Sequence, residues 1–324
     1  MLVVRTPLRV SLFGGGTDFP SYYREYGGCV LSAAINKYIF VIIRKRMDEK
    51  IRTGYTQLQT CNSVDEVNHE LVREAMRLTK MSCGVEIVTV GDVPAGTGLG
   101  SSSTVTVGLL KAMYTYLGED VSTERLAAEA CMIERNILNK PIGVQDQYIA
   151  SHGDVRFITF CRDGEVRMER IEVEPLARQV LSENLMLFFT NMTRKSETVL
   201  VEQKNNVHNH FGTLRALKEL AREGRGLLDR GQFDAFGELL HHGWELKKQL
   251  ASRVTNGRID AIYESARRAG ALGGKITGAG NGGYLLLYCP HGKQDAVRSA
   301  LRPLDELPFH LERFGSRVIF NYRR

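Results

Sequence analysis

A chain of 324 residues, 43% hydrophobic and 25% charged, has material for two domains with buried cores, and its composition excludes collagenous, disordered and coiled-coil classes. Its net charge of +6 comes from dispersed lysines and arginines, which argues against nucleic acid as a partner and for a small anionic one. The six cysteines show no Cys-x-x-Cys spacing, no apolar run reaches the roughly 18 residues of a membrane span, and the arginine-bearing N-terminus lacks a signal-peptide pattern, so the expectation is a cytoplasmic protein with reduced thiols.

The chain opens with a β-rich segment at 3–12, followed by the apolar, β-branched run 38–43 and a polar segment from 47 to about 67. Helical periodicity covers 66–80 and a strand 85–90. The glycine-serine loop 94–103 then leads into an amphipathic helix with Val105, Leu109, Met113 and Tyr116 along one face, ended by Gly118. Ser122 caps the next helix, whose buried stripe is Leu126, Ala130, Ile133 and Ile137, before Pro141 and Gly143 break it; Glu134 lies beside that stripe. A short helical pattern carries Gln145, Asp146 and Gln147, strands follow near 155–160 and 166–173, and 185–190 reads as a buried strand. From 196 to 269 the pattern changes to long helices, with Phe233, Phe236, Leu240, Trp244 and Leu250 at three- and four-residue steps, which puts a domain boundary near 175–185. A glycine-rich turn at 273–283, an apolar strand at 284–288, a helical stretch near 293–302 and β-like segments up to Asn321 complete the pattern.

Residues 94–103, Pro-Ala-Gly-Thr-Gly-Leu-Gly-Ser-Ser-Ser, have the make-up of a phosphate cradle. Glycines let the backbone approach an anion, the following helix start offers unpaired N–H groups and a positive dipole end, and the serine hydroxyls can cap the helix or reach a phosphate-bound Mg²⁺. The Gly-Lys-Ser/Thr ending of a P-loop is missing, so phosphate charge falls to the metal, backbone amides and basic residues elsewhere. Residues 278–283 formally match G-x-G-x-x-G, but they run straight into an apolar strand and no acidic residue follows at a spacing of ~20, which removes the dinucleotide reading. A tight strand-to-strand connection and packing against substrate or phosphate stay evenly open for them. The tip at 14–18 follows an apolar strand; there Asp18 can accept hydrogen bonds from sugar hydroxyls and Arg9 can neutralise phosphoryl charge, against the plainer readings of a turn aspartate and a surface arginine. The pairs His208 with His210 and His241 with His242 do not share a helix face, so no metal site is read into them, and the polar stretch 53–62 is a candidate for adenine contacts.

The three glycine-rich segments, in this order and spanning Thr6 to Gly283, resemble the motifs of the GHMP kinases. That resemblance implies an α+β, two-domain fold, with an N-terminal α/β domain of mixed sheet over 1–180 and a ferredoxin-like C-terminal α+β domain over 181–324. It implies ATP and Mg²⁺, with Pro94, Gly96, Thr97, Gly98, Leu99, Gly100, Ser101, Ser102 and Ser103 around the nucleotide phosphates. Ser102, with Ser101 and Ser103 as close competitors, and Glu134 take the metal, although Glu134 alone would read as a solvated helix-face residue. Asp146 and Arg9 take the catalytic places, and Gly15, Gly16, Thr17, Asp18, Gly278 and Gly280 the substrate side. Galactokinases carry Glu-His where this chain has Gly15 and Gly16, mevalonate kinases carry an N-terminal lysine missing here, and homoserine kinases lack the aspartate. The stretches 13–23 and 189–196 resemble instead the heptose 7-phosphate kinases of the family, which phosphorylate an anomeric hydroxyl. Arg194 and Lys195 would then meet a substrate phosphate, the plainer reading being a solvated pair. A fucokinase-type enzyme shares the Gly-Gly-Gly-Thr-Asp opening, and a sugar- and nucleotide-binding regulator without catalysis is the alternative from another class. The expected partner is a small-molecule sugar phosphate, with no nucleic acid and no membrane; a homodimer stays open.

Overall fold

The computed structural model describes residues 1–192, 197–207 and 209–322. Its first layer is a mixed sheet built from β1 (Leu2–Phe13), β2 (Gly28–Lys45), β3 (Ile51–Gly54), β4 (Leu58–Cys61), β5 (Val85–Gly91), β6 (Val155–Phe160) and β7 (Val166–Arg170). Alternation along β1 buries Leu8, Val10 and Leu12 in one core and turns Arg9 and Ser11 to the other face. Pro7 has no N–H to give, and the pairing with β2 is irregular immediately after it; Leu2 and Val4, before that point, go into a different core. β2 is long enough to serve two neighbours, pairing with β6 through its first residues and with β5 through its last.

Helix α1 (Pro20–Tyr26), with its proline in the first turn, joins β1 to β2. The helix expected over 66–80 is α2 (Glu70–Thr79), preceded by a separate 3₁₀ turn. α3 (Ser101–Leu117) ends, as the sequence suggests, on Gly118 in the left-handed conformation, and α4 (Thr123–Cys131) starts on Ser122, whose side chain accepts from Arg125 N–H. The expected one-faced pattern of α3 is not what the fold uses. Ser103, Thr104, Thr106, Val107, Leu109, Leu110, Ala112, Met113 and Tyr114 are all buried, because α3 is enclosed between the sheet and α2, α4 and α5 (Gln145–His152), while Val105 and Tyr116 are only half-buried.

Residues 175–185, read as a boundary, form α6 (Pro175–Asn184), which leads into β8 (Leu185–Phe189). α7 (Glu197–Asn205), α8 (Phe211–Asp229), α9 (Phe233–Lys247) and α10 (Gly257–Arg268) follow, and Leu250 lies beyond the end of α9. The first residues of the expected 273–283 turn are a strand, β9 (Gly273–Ile276), paired antiparallel with β10 (Tyr284–Tyr288), so 277–283 is a strand-to-strand connection. α11 (Gln294–Ala300) comes next, and Asp305 to Leu307 hydrogen-bond alongside β8. The resulting order, 305–307, β8, β10, β9, is that of a ferredoxin-like sheet. The chain then returns to the first sheet as β11 (Arg317–Asn321), giving the order β11-β1-β2-β5-β3-β4, with β6 and β7 attached along β2. One core joins both sheets: Leu8, Leu31 and Phe157 of the first, Ala221 of α8, Phe236 of α9, and Leu187 and Leu286 of the second. No helix among the described residues is long and apolar enough to cross a membrane.

Candidate active site

The turn from β5 into α3 holds Gly96, Gly98 and Gly100 at φ of 77°, 84° and 80°. Gly100 is itself the N-cap and makes no side-chain cap bond, so the three serines sit inside the first turn and do not cap it. Their hydroxyls are thereby free for other work. Ser102 Oγ donates to Glu134 Oε1 at 2.6 Å, and Ser101 Oγ is buried with no hydrogen-bond partner among the described residues. Behind the loop, a Cβ on Gly98 would come 2.6 Å from Thr277 O, and one on Gly278 would come 2.7 Å from Gly98 Cα. The two glycine-rich segments therefore touch backbone to backbone. Thr97 O fastens them, accepting from Tyr284 N–H at 3.2 Å and from Thr277 Oγ1 at 3.1 Å.

Arg9 crosses from β1 to both the loop and the start of α5. Its Nε and Nη2 donate to the two oxygens of Asp146 at 2.7 Å each, and Nη1 donates to Gly98 O at 2.6 Å. At 5% exposure Arg9 is no surface arginine. Asp18 is equally enclosed: Oδ1 accepts from Gly16 N–H at 3.1 Å, and Oδ2 from the Gln145 N–H at 3.3 Å and from Nε2 of the same residue at 3.1 Å. Burial first, and then the charge of Asp146, raises the Asp18 carboxyl above the ordinary carboxylate range. Gly143 is the floor under it, since a Cβ there would lie 1.8 Å from Asp18 Oδ2. Gly143→Ala should therefore displace Asp18 and, with Asp18 on a sugar as the family resemblance implies, raise the KM for that sugar by roughly tenfold or more with ATP affinity kept. Steady-state kinetics with each substrate varied separately read this, and an unchanged sugar KM would contradict it.

α4 runs into a π-helical turn, Met132–Ile137, in which Leu138 N–H donates to Ile133 O, five residues back. The wider turn changes the phase of the expected stripe: Glu134 is fully buried, whereas Ile137 is 44% exposed. The other Glu134 oxygen accepts from Gln147 Nε2 at 2.6 Å. Its hydrogen-bond partners, Ser102, Gln147 and Ser103, are neutral, and burial raises the carboxyl. A buried carboxylate held by neutral groups beside a serine hydroxyl is a set of hard oxygen donors that suits Mg²⁺.

Arg9, Gly15, Gly16, Asp18, Gly96, Gly98, Gly100, Ser101, Ser102, Ser103, Asp146 and Gly278 come together around one cavity of about 190 Å³. Other residues singled out in the sequence do not line it. Thr17 is buried in its own turn, donating to Gly14 O and Cys29 O; Thr97 and Leu99 are buried, Pro94 is exposed, and Gly280 backs onto Val254. The stretch 53–62 lies in the β3–β4 hairpin and contributes nothing to the cavity. Arg194, Lys195 and His208 fall outside the described residues. The sequence reading missed Gly143 and two cavity lysines. Lys247 Nζ donates to Ile276 O at 2.7 Å and Gly278 O at 2.6 Å, and Lys275 Nζ donates to Leu12 O at 3.0 Å. For Lys275 a signal was present: a lone charge shortly before the third glycine-rich segment.

Two α+β units meeting over a glycine-rich loop, a buried carboxylate beside its serines and an arginine-held aspartate define a kinase without a P-loop lysine. Models of the GHMP kinases N terminal domain and GHMP kinases C terminal match residues 67–154 and 216–303. The chain is 30% identical, over 92% of its own length and 92% of the relative's, to D-glycero-alpha-D-manno-heptose 7-phosphate kinase of Campylobacter jejuni. It is 26% identical to the bifunctional fucokinase/GDP-fucose pyrophosphorylase of Arabidopsis thaliana, over 88% of this chain and 29% of that protein. Among solved structures, a D-glycero-D-manno-heptose 1-phosphate kinase from Bacteroides thetaiotaomicron matches 100% of both chains with a TM-score of 0.85 at 25% identity. The chain belongs to the GHMP kinases.

Proposed function

We propose that the protein transfers the γ-phosphoryl group of ATP to the anomeric hydroxyl of a heptose phosphate, D-glycero-D-manno-heptose 7-phosphate being the acceptor favoured. The observation that carries this reading is the single cavity in which the phosphate loop faces the Arg9–Asp146 pair and the enclosed Asp18. The 30% identity to a heptose 7-phosphate kinase supports the choice of sugar, as do Gly15 and Gly16, which replace the Glu-His of galactokinases.

Asp146 accepts the proton of the acceptor hydroxyl on a carboxylate oxygen, each of which keeps a lone pair beyond its bond to Arg9. By gripping Asp146 and Gly98 O together, Arg9 keeps base and phosphate loop at a set separation. Asp18 accepts from sugar hydroxyls, and the amides of 96–103 with the α3 N-terminus bind the nucleotide phosphates. A Mg²⁺ on Ser102 and Glu134 would supply charge neutralisation at the phosphate oxygens.

The test is a panel of sugars and sugar phosphates incubated with ATP and read by phosphorus and proton NMR of the product. A bisphosphate carrying its new phosphate on the anomeric carbon is expected from heptose 7-phosphate. Preference for free fucose would make the protein fucokinase-type, and no turnover with any acceptor would favour a binding regulator.

A further inference from the structure

Lys275 stands on β9, whose neighbouring residue Ile276 packs into the far core of the second sheet. Alternation turns Lys275 the other way, toward the first sheet, where its ammonium meets Leu12 O at 3.0 Å. It is 7% exposed and lines the cavity together with Arg9, Asp18 and Ser102. An ammonium has three donors, and the single carbonyl it meets among the described residues compensates poorly for burying it; an apolar side chain would fill the same wall without the desolvation cost. Lys247, in contrast, points its donors at two backbone carbonyls of the 276–278 turn.

We propose that Lys275 is a further catalytic residue, whose ammonium contacts the phosphoryl group as it passes to the acceptor. This rests on the kinase reading of the site. The transfer balances without any proton from lysine: the acceptor O–P bond forms as the bond to the ADP oxygen breaks, the hydroxyl proton goes to Asp146, and Lys275 keeps its protons. What it supplies is positive charge and N–H donors where the equatorial oxygens carry negative charge. The groups around it agree with that role. Burial first, and then Arg9 from β1, pushes the ammonium down to about 7, while Asp18 from the 14–18 tip opposes them; an arriving phosphoryl group adds counter-charge on Asp18's side of the balance.

Lys275→Met and Lys275→Arg would be compared with the unaltered protein in turnover of ATP with heptose 7-phosphate, in calorimetric titration with inorganic tripolyphosphate, and in thermal melting. Lys275→Met is expected to lose kcat by roughly 100-fold and tripolyphosphate affinity by roughly tenfold, with Lys275→Arg between it and the unaltered protein. Its Tm should be unchanged or higher, because a buried ammonium has been removed. Unchanged kcat and tripolyphosphate affinity would overturn the proposal. So would a lower Tm with unchanged kcat per folded molecule, which would make Lys275 a strut to Leu12. Should the Met variant not fold, Lys275→Gln, which keeps a donor for Leu12 O, is judged by the same criteria. If the unaltered protein phosphorylates no sugar, the proposed function fails, while the tripolyphosphate titration still decides on Lys275.

Discussion

Asp146→Asn is expected to lower kcat by about 10²–10⁴-fold and to leave ATP affinity unchanged. The substitution keeps the volume of the side chain and one acceptor for Arg9, but it presents an amide where Arg9 now donates to a second carboxylate oxygen. Nucleotide binding should survive, because Arg9 remains tied to the loop through Gly98 O and the loop remains tied to β10 through Thr97 O. What is lost, on the proposed function, is the site that takes the hydroxyl proton. Coupled kinetics and a separate titration with ATP give the two quantities independently, and near-normal turnover would remove Asp146 from the role of base. A second signature follows from the Asp18 carboxyl, which the charge of Asp146 helps to raise. With that charge gone Asp18 should ionise at lower pH, so the acid limb of sugar-phosphate binding should move down.

Glu134→Gln should abolish the dependence of stability on Mg²⁺ and cut kcat by roughly 100-fold at limiting metal. The amide is close in shape to the carboxylate and can keep Ser102 and Gln147 as neighbours, so the fold is not at stake. It removes a charge buried among neutral partners, a group that costs free energy until a cation reaches it. Two opposite shifts are therefore expected in thermal melting. Without metal the variant should melt at or above the unaltered protein; with Mg²⁺ at 100 times its Kd the unaltered protein should gain about 2.7 kcal/mol and the variant nothing. Of the serines, Ser102→Ala should reproduce part of this loss and Ser101→Ala little of it, since Ser102 donates to Glu134 at 2.6 Å and Ser103 also acts on that carboxyl, whereas Ser101 does not. A metal-induced rise in Tm that persists in Glu134→Gln would move the cation elsewhere.

Local chemistry made much of this readable beforehand. Gly118 and Ser122 punctuate the helices as their backbone preferences require, the glycine-serine loop ends where α3 begins, and the 278–283 segment connects two strands, one of the two readings its sequence left open. The failures share a cause: each depends on something outside a local window. A uniform 3.6-residue period places Ile137 in the core and Glu134 beside it, and only the π-helical turn reverses them. α3 looks one-faced until α2, α4 and α5 close around its other sides. Lys275 gains its meaning from Leu12, Arg9 and Asp18, all more than two hundred residues earlier, a proximity no spacing rule reaches. Gly143 reads as a helix breaker, whereas the space it leaves is occupied by the Asp18 carboxylate.

The core that joins the two sheets also governs how the molecule comes apart. Phe236 and Leu286 cannot be stripped from Leu8 and Leu31 without opening hydrophobic surface on both units, and β11 pairs with β1 across the same divide. Neither half then has a cheap partial unfolding of its own, so amide hydrogen exchange in β1 and β10 should report one shared opening free energy, with the matched N- and C-terminal segments behaving as a single cooperative foldon.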